Sequence, residues 1–248
     1  MHDCRQCGVS TPAGMVPGDR ACGRCGVVFA RANAARRAPA PSAPPPVPGG
    51  AGWGSHVWRH LTWVDPEDGL PVAAGRALLL VLLAWWGWRF AQLNRPWGVW
   101  DSHFLHNAHL VFHEAGHLLF APFGRFMSIA GGSLMQLLIP LAAMAGFLYA
   151  RPQPFGAAVA TWWLGTSLID LSPYIGDAQS LKLMMIGGFL AEDVPDAHDW
   201  RNLLYSLELL RHDRLIATVA WNMGGALMIL GLAWGSALVV RQIQNPGA

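Results

Sequence analysis

Five stretches of this chain are apolar for long enough to cross a bilayer, and the polar residues between them fall in short clusters. The first runs from about Val72 to Leu93. Its uncharged centre is short, so Arg76 and Arg89 are expected to reach out to the two interfaces. The second runs from about Ser102 to Ala121 and stops at Pro122; the third covers Ile129 to Tyr149 and the fourth Phe155 to Leu171. No charge interrupts the chain between Arg214 and Arg241, which makes Leu215 to Val240 the fifth and clearest span. Residues Trp200 to Arg214 place Leu203, Leu204, Leu207 and Leu210 on one side and read as an interfacial helix capped by Asp199. The pattern predicts an all-α polytopic membrane domain of about five transmembrane helices over residues 55–248, with no internal repeat.

Composition agrees with that reading and removes two classes. Only 13% of the 248 residues are charged and 53% are hydrophobic, so the bulk of the chain would collapse in water rather than stay disordered. A net charge of +2, with most basic residues scattered singly, argues against a nucleic-acid partner. An Ala-, Arg- and Trp-rich chain with a single lysine has the composition of a GC-rich bacterial genome, so the expected location is a bacterial inner membrane.

All four cysteines lie in the first 25 residues, as Cys4-Arg-Gln-Cys7 and Cys22-Gly-Arg-Cys25, each pair followed by Gly. Two-residue spacing lets both thiolates of a pair point at one ion, and four thiolates suit a closed tetrahedral structural zinc site. So short a segment cannot fold on apolar burial alone, so metal would supply its folding energy. The pattern resembles zinc-ribbon and rubredoxin-like knuckles and predicts a zinc ribbon over residues 1–30, a surface for a protein partner. A Pro- and Ala-rich tether follows over residues 31–54 and cannot build a core.

Reduced thiolates place the N-terminus in the cytosol. With that orientation and five spans, 13 of the 17 basic residues lie inside, and only Arg89, Arg95, Arg151 and Arg241 lie near the outer face. The positive-inside rule is satisfied by the same topology.

The second span carries His113-Glu114-Ala115-Gly116-His117, an HExxH motif. Residues four apart share one helix face, so both imidazoles can bind one Zn²⁺, and Glu114 beside them can take a proton from water. Ionisable groups inside an apolar helix are costly unless paired or metal-bound, which marks the cluster as functional. His103, His106 and His109 share the helix; they line a wet cavity or form a second metal site. A two-His site needs another protein ligand, and the fourth span ends Asp170-Leu-Ser-Pro173-Tyr-Ile-Gly-Asp177-Ala. If the second and fourth spans run in one direction, Asp177 comes near His113 and His117. Asp170 and His198 are the rival ligands.

This arrangement resembles the site-2 protease family of intramembrane zinc metalloproteases over roughly residues 100–180. That family carries HExxH on one helix and a ligand Asp in an Asn-x-x-Pro…Asp-Gly segment two helices later. The Gly131-Gly132-Ser-Leu-Met-Gln136 run is similar to the start of its middle helix. Here Asp170 stands where the family has Asn, the Pro-to-Asp spacing is one residue shorter, and Ala178 replaces Gly. The resemblance implies a zinc metalloendopeptidase acting on membrane-protein or peptide substrates. His113, His117 and Asp177 would hold the catalytic zinc, with Glu114 as general base. Two other classes fit the same residues. One is a membrane di-iron oxidoreductase using His106, His109, His113 and His117; the other is a non-catalytic zinc-ribbon adaptor.

Overall fold

The computed structural model describes residues 2–3, 10–11, 52–96, 104–150 and 152–244. The chain divides into two compact units, Met1–Ser42 and Ala43–Ala248. In the first unit two short strands, β1 (His2–Asp3) and β2 (Ser10–Thr11), pair antiparallel. Cys4, Cys7, Cys22 and Cys25, and almost all of the Pro-rich tether, lie outside the described residues.

Among its described residues the second unit is mainly helical. Its helices are α1 (Trp53–Thr62), α2 (Leu70–Leu93), α3 (Phe104–Phe120), α4 (Arg125–Ala145), α5 (Pro154–Gly176), α6 (Asp199–Ser206) and α7 (Asp213–Gln244). Pro71 and Pro154 sit in first turns, where a missing N–H costs nothing. Gly124, at φ +94°, makes the corner into α4, a conformation that L side chains rarely adopt. Among the described residues, three helical runs are long and apolar enough to cross a membrane: Leu70–Leu93, Arg125–Ala150 and Leu210–Gln244.

α5 is different. Nearly every residue from Ala157 to Gly176 is buried, including Thr161, Thr166, Ser167, Asp170 and Ser172. As the central helix it meets other helices rather than lipid, so it can carry polar groups that an exposed span could not. Glycines bring its backbone against α7: a Cβ on Gly165 would lie 2.5 Å from the Gly224 carbonyl, and one on Gly224 2.6 Å from that of Gly165.

Contacts fix the relative directions of the long helices. Gly235 of α7 packs on Leu80 and Phe155, Gly231 on Ala158 and Trp162, and Ala217 near Gly176, so α7 runs antiparallel to both α2 and α5. Thr161 lies against Met144, and Gln136 against Ser167 and Asp170, so α4 also runs antiparallel to α5. α2 therefore ends on the side where α4 begins, and α3 returns to the side the chain came from.

Phe104 stacks on Trp86 at 5.8 Å and His109 meets Phe90 edge-on at 6.2 Å. At the other end of α3, His117 lies beside Ser128 in the first turn of α4. α3 thus starts level with the middle of α2 and rises to the end shared with α4. α3 therefore does not run the full length of the bundle as the expected second crossing would. One consequence corrects the expected topology: Arg76 at the start of α2 bonds Gln242 at the end of α7 at 2.7 Å. Those termini share a side, whereas five crossings would have put Arg76 and Arg241 on opposite faces.

Candidate metal centre

α3 and α4 cross at two glycines. A Cβ on Gly131 would lie 2.6 Å from the Gly116 carbonyl, so only bare backbones approach this closely. That crossing lays the HExxH face of α3 along the first turns of α4. His117 Nδ1 donates to the Ser128 carbonyl at 2.9 Å, and His113 Nδ1 lies 3.2 Å from Gln136 Oε1. With Nδ1 of each ring tied back, both Nε2 atoms face a common space. Gly132 leaves that space open: a Cβ there would stand 2.5 Å from His113 Nε2 and 2.7 Å from His117 Nε2.

The third group in this space is Asp199. Its Oδ2 lies 3.1 Å from His113 Nε2 and 3.2 Å from His117 Nε2, and the ligand atoms of the three residues lie within 4.8 Å of one another. Ligands about 2.0–2.1 Å from a tetrahedral ion are roughly 3.3 Å apart, so the spacing fits one metal ion. The chemistry fits as well. A carbonyl and an amide oxygen hold the Nδ1 protons, which leaves two imidazole lone pairs converging on a carboxylate oxygen. Three acceptors hold together only around a cation, a metal ion or protons on the rings. With protons on the rings in place of a metal ion, burial pushes the Asp199 carboxyl up, but hydrogen bonds from His113 and His117 outweigh it and hold the pKa at about 2.

Asp177, expected here, is not brought to the histidines. It is the C-cap of α5 and accepts Ser180 Oγ at 2.5 Å, Lys182 N–H at 2.9 Å and Leu183 N–H at 3.0 Å. Burial would raise its pKa, yet His198, Ser180 and the two backbone N–H groups lower it. Asp177 therefore folds the chain back after α5. That return segment carries Asp199 to His113 and His117. His198, the other rival, accepts the Arg201 N–H at 3.2 Å as N-cap of α6 and packs its ring, tilted by 37°, on Tyr174 at 4.3 Å. Its Nε2 lies 3.6 Å from Asp177 Oδ2. Tyr174 Oη accepts the Asp199 N–H at 2.9 Å. Tyr174 of α5 and the C-cap residue Asp177 thus seat the start of α6.

Asp199 was legible in sequence only as a helix cap. The cap is His198, one residue earlier, and this shift places Asp199 in the first turn with its carboxylate released toward α3. Proximity to His198 in a segment able to fold back was the one available signal.

Glu114 lines the same cavity as His113, His117 and Asp199, a space of about 390 Å³. Met185, Ile186 and Phe189 form its apolar wall. They belong to a tight hairpin closed by the Met185 N–H to Phe189 carbonyl bond at 2.8 Å, with Gly187 and Gly188 at positive φ. His106 and Asp170 line the cavity away from the ligand group; His106 Nδ1 lies 3.0 Å and His109 Nδ1 3.4 Å from the Asp170 carboxylate. Those histidines face Asp170, and among the described residues His113, His117 and Asp199 form the one group whose spacing could hold a metal ion. His103 lies outside the described residues. Searched against known protein families, curated proteins and solved structures, the chain matches none of them.

Proposed function

We propose that this protein is an intramembrane zinc metalloprotease that hydrolyses peptide bonds of membrane-protein or peptide substrates. The observation that carries the reading is the convergence of His113, His117 and Asp199 at single-ion spacing, with Glu114 on the wall of the same cavity. Zinc bound there would polarise a peptide carbonyl and bring the pKa of water toward neutrality. Glu114, next to His113 on α3, takes the proton of the attacking water and passes it to the leaving amine. Gln136 and the Ser128 carbonyl keep the two rings in the tautomer that ligates through Nε2. The hairpin wall of Met185, Ile186 and Phe189 receives apolar substrate side chains.

In this reading α2, α4, α5 and α7 cross the bilayer and α3 enters and leaves from one side. Arg95, Arg125, Lys182, Arg201, Arg211 and Arg214 surround the metal-centre end, against Arg59, Arg76 and Arg241 at the other described end. The domain then lies in a bacterial inner membrane with a belt of basic side chains at the metal-centre end. Cys4, Cys7, Cys22 and Cys25 hold a second, structural zinc in a head that binds a protein partner.

The test is a pair of measurements on purified protein: zinc content, and cleavage of a library of apolar peptides read by mass spectrometry. Glu114→Gln is expected to keep its zinc and lose cleavage, because an amide cannot accept the proton. Undiminished cleavage by that variant would overturn the mechanism.

A further inference from the structure

We propose that Asp170 is a positioning residue for the metal centre, acting through Gln136 on His113. The inference rests on the reading of His113, His117 and Asp199 as that centre. Gln136 and Asp170 are both almost wholly buried, and neither is in the ligand group. Gln136 Nε2 donates to Asp170 Oδ2 at 2.9 Å and lies 3.4 Å from the Ser167 carbonyl. Both neighbours are acceptors, so the amide has one allowed orientation; turned over, its oxygen would face two other oxygens. Oε1 must therefore face His113 Nδ1, at 3.2 Å.

An amide oxygen accepts only, so Nδ1 carries the proton and the Nε2 lone pair is directed toward Asp199 and His117. The direction of each hydrogen bond follows from the one before it. The series begins at the Asp170 carboxylate, 3.0 Å from His106 Nδ1 on its other oxygen. His117 has no such chain behind it: its Nδ1 is held by a backbone carbonyl of α4. The two motif histidines are thus set by different means, one by the neighbouring backbone and one by a side-chain relay from the central helix α5. Outer-sphere partners of a ligating histidine typically contribute about 10- to 100-fold in metal affinity.

The test is titration of metal-free full-length protein with Co²⁺ against a chromophoric chelator, with His113→Ala/His117→Ala giving the baseline from the rest of the chain. Gln136→Leu and Asp170→Leu are each expected to weaken binding at the centre by about 10- to 100-fold. The double variant should be no worse than the weaker-binding single, because both changes cut one relay. Asp170→Asn should stay near wild type, since its amide oxygen still accepts from Gln136. Should an Asp170 variant fail to fold, ¹⁵N shifts of His113 in metal-free Gln136→Leu decide the matter: the wild type is Nδ1-protonated and the variant is a mixture of tautomers. Unchanged Co²⁺ affinity in Gln136→Leu, additive losses, or equal damage from Asp170→Asn and Asp170→Leu would overturn the relay. Co²⁺ uptake by the wild type no greater than the baseline would instead remove the metal centre itself, and the relay with it.

Discussion

Arg76 donates through Nη1 to Gln242 Oε1 at 2.7 Å, and Gln242 Nε2 donates to the Asp68 carbonyl at 3.0 Å. This pair ties the first turns of α2 to the last turn of α7, and Arg76 is held on its other side by Asp68 at 2.7 Å. The candidate metal centre lies at the opposite end of those helices, beside the C-terminus of α5 and the start of α4.

That geometry makes a topological prediction with a natural reporter. Lys182 is the only lysine, it is exposed, and it sits at the metal-centre end. A membrane-impermeant amine reagent applied to oriented vesicles should modify Lys182 from one side, and a tag placed after Ala248 should be reached only from the other. Access to both from one side would refute the re-entrant placement of α3.

The two aspartates should separate cleanly. Asp199→Ala removes a ligand and is expected to abolish tight zinc binding, as His113→Ala and His117→Ala do. Asp177→Ala should bind zinc weakly only to the extent that the segment after α5 loosens. Its main effect is on stability, lowered by about 1–3 kcal/mol because the buried Leu183 N–H and the half-buried Lys182 N–H lose their acceptor. Zinc affinity and thermal unfolding of the metal-free protein, measured side by side, give the ranking. A greater loss of zinc in Asp177→Ala than in Asp199→Ala would contradict it.

Gly132→Ala should empty the centre without unfolding the bundle. The added methyl would stand 2.5 Å from His113 Nε2, on rings already fixed at Nδ1. Gly225→Ala, where nothing lies within 4 Å, is the matched control and is expected to be neutral or stabilising by about 0.5–1 kcal/mol. Zinc content after dialysis distinguishes the two.

Acid should weaken the segment that delivers Asp199. The folded state holds the Asp177 carboxyl below its ordinary value, so its contribution is complete above the unfolded pKa, about 3.9, and is lost as pH falls through the depressed folded value. The thermal midpoint of metal-free wild type should drop toward that of Asp177→Asn below about pH 4, the two converging in stronger acid. Parallel curves over that range would show that Asp177 is not the group responsible.

Residue spacing alone was enough to identify α2, α4 and α7, because a long uncharged run has one stable place, and to put His113, Glu114 and His117 together, because four residues make one helical turn. What the spacing of His113 and His117 could not supply was the rest of the centre. Asp177 stands out along the chain, with Asp170 and His198 as rivals and Asp199 only as a cap; which of them reaches the histidines is decided by the return segment after α5. Whether Asp199 caps a helix or faces a metal turns on a shift of one residue at the start of α6. Likewise α3 is apolar enough to read as a span, but its direction depends on Phe104 meeting Trp86 and on the Gly116–Gly131 crossing. Hydropathy records how much apolar surface a segment offers; only packing records which side it returns to.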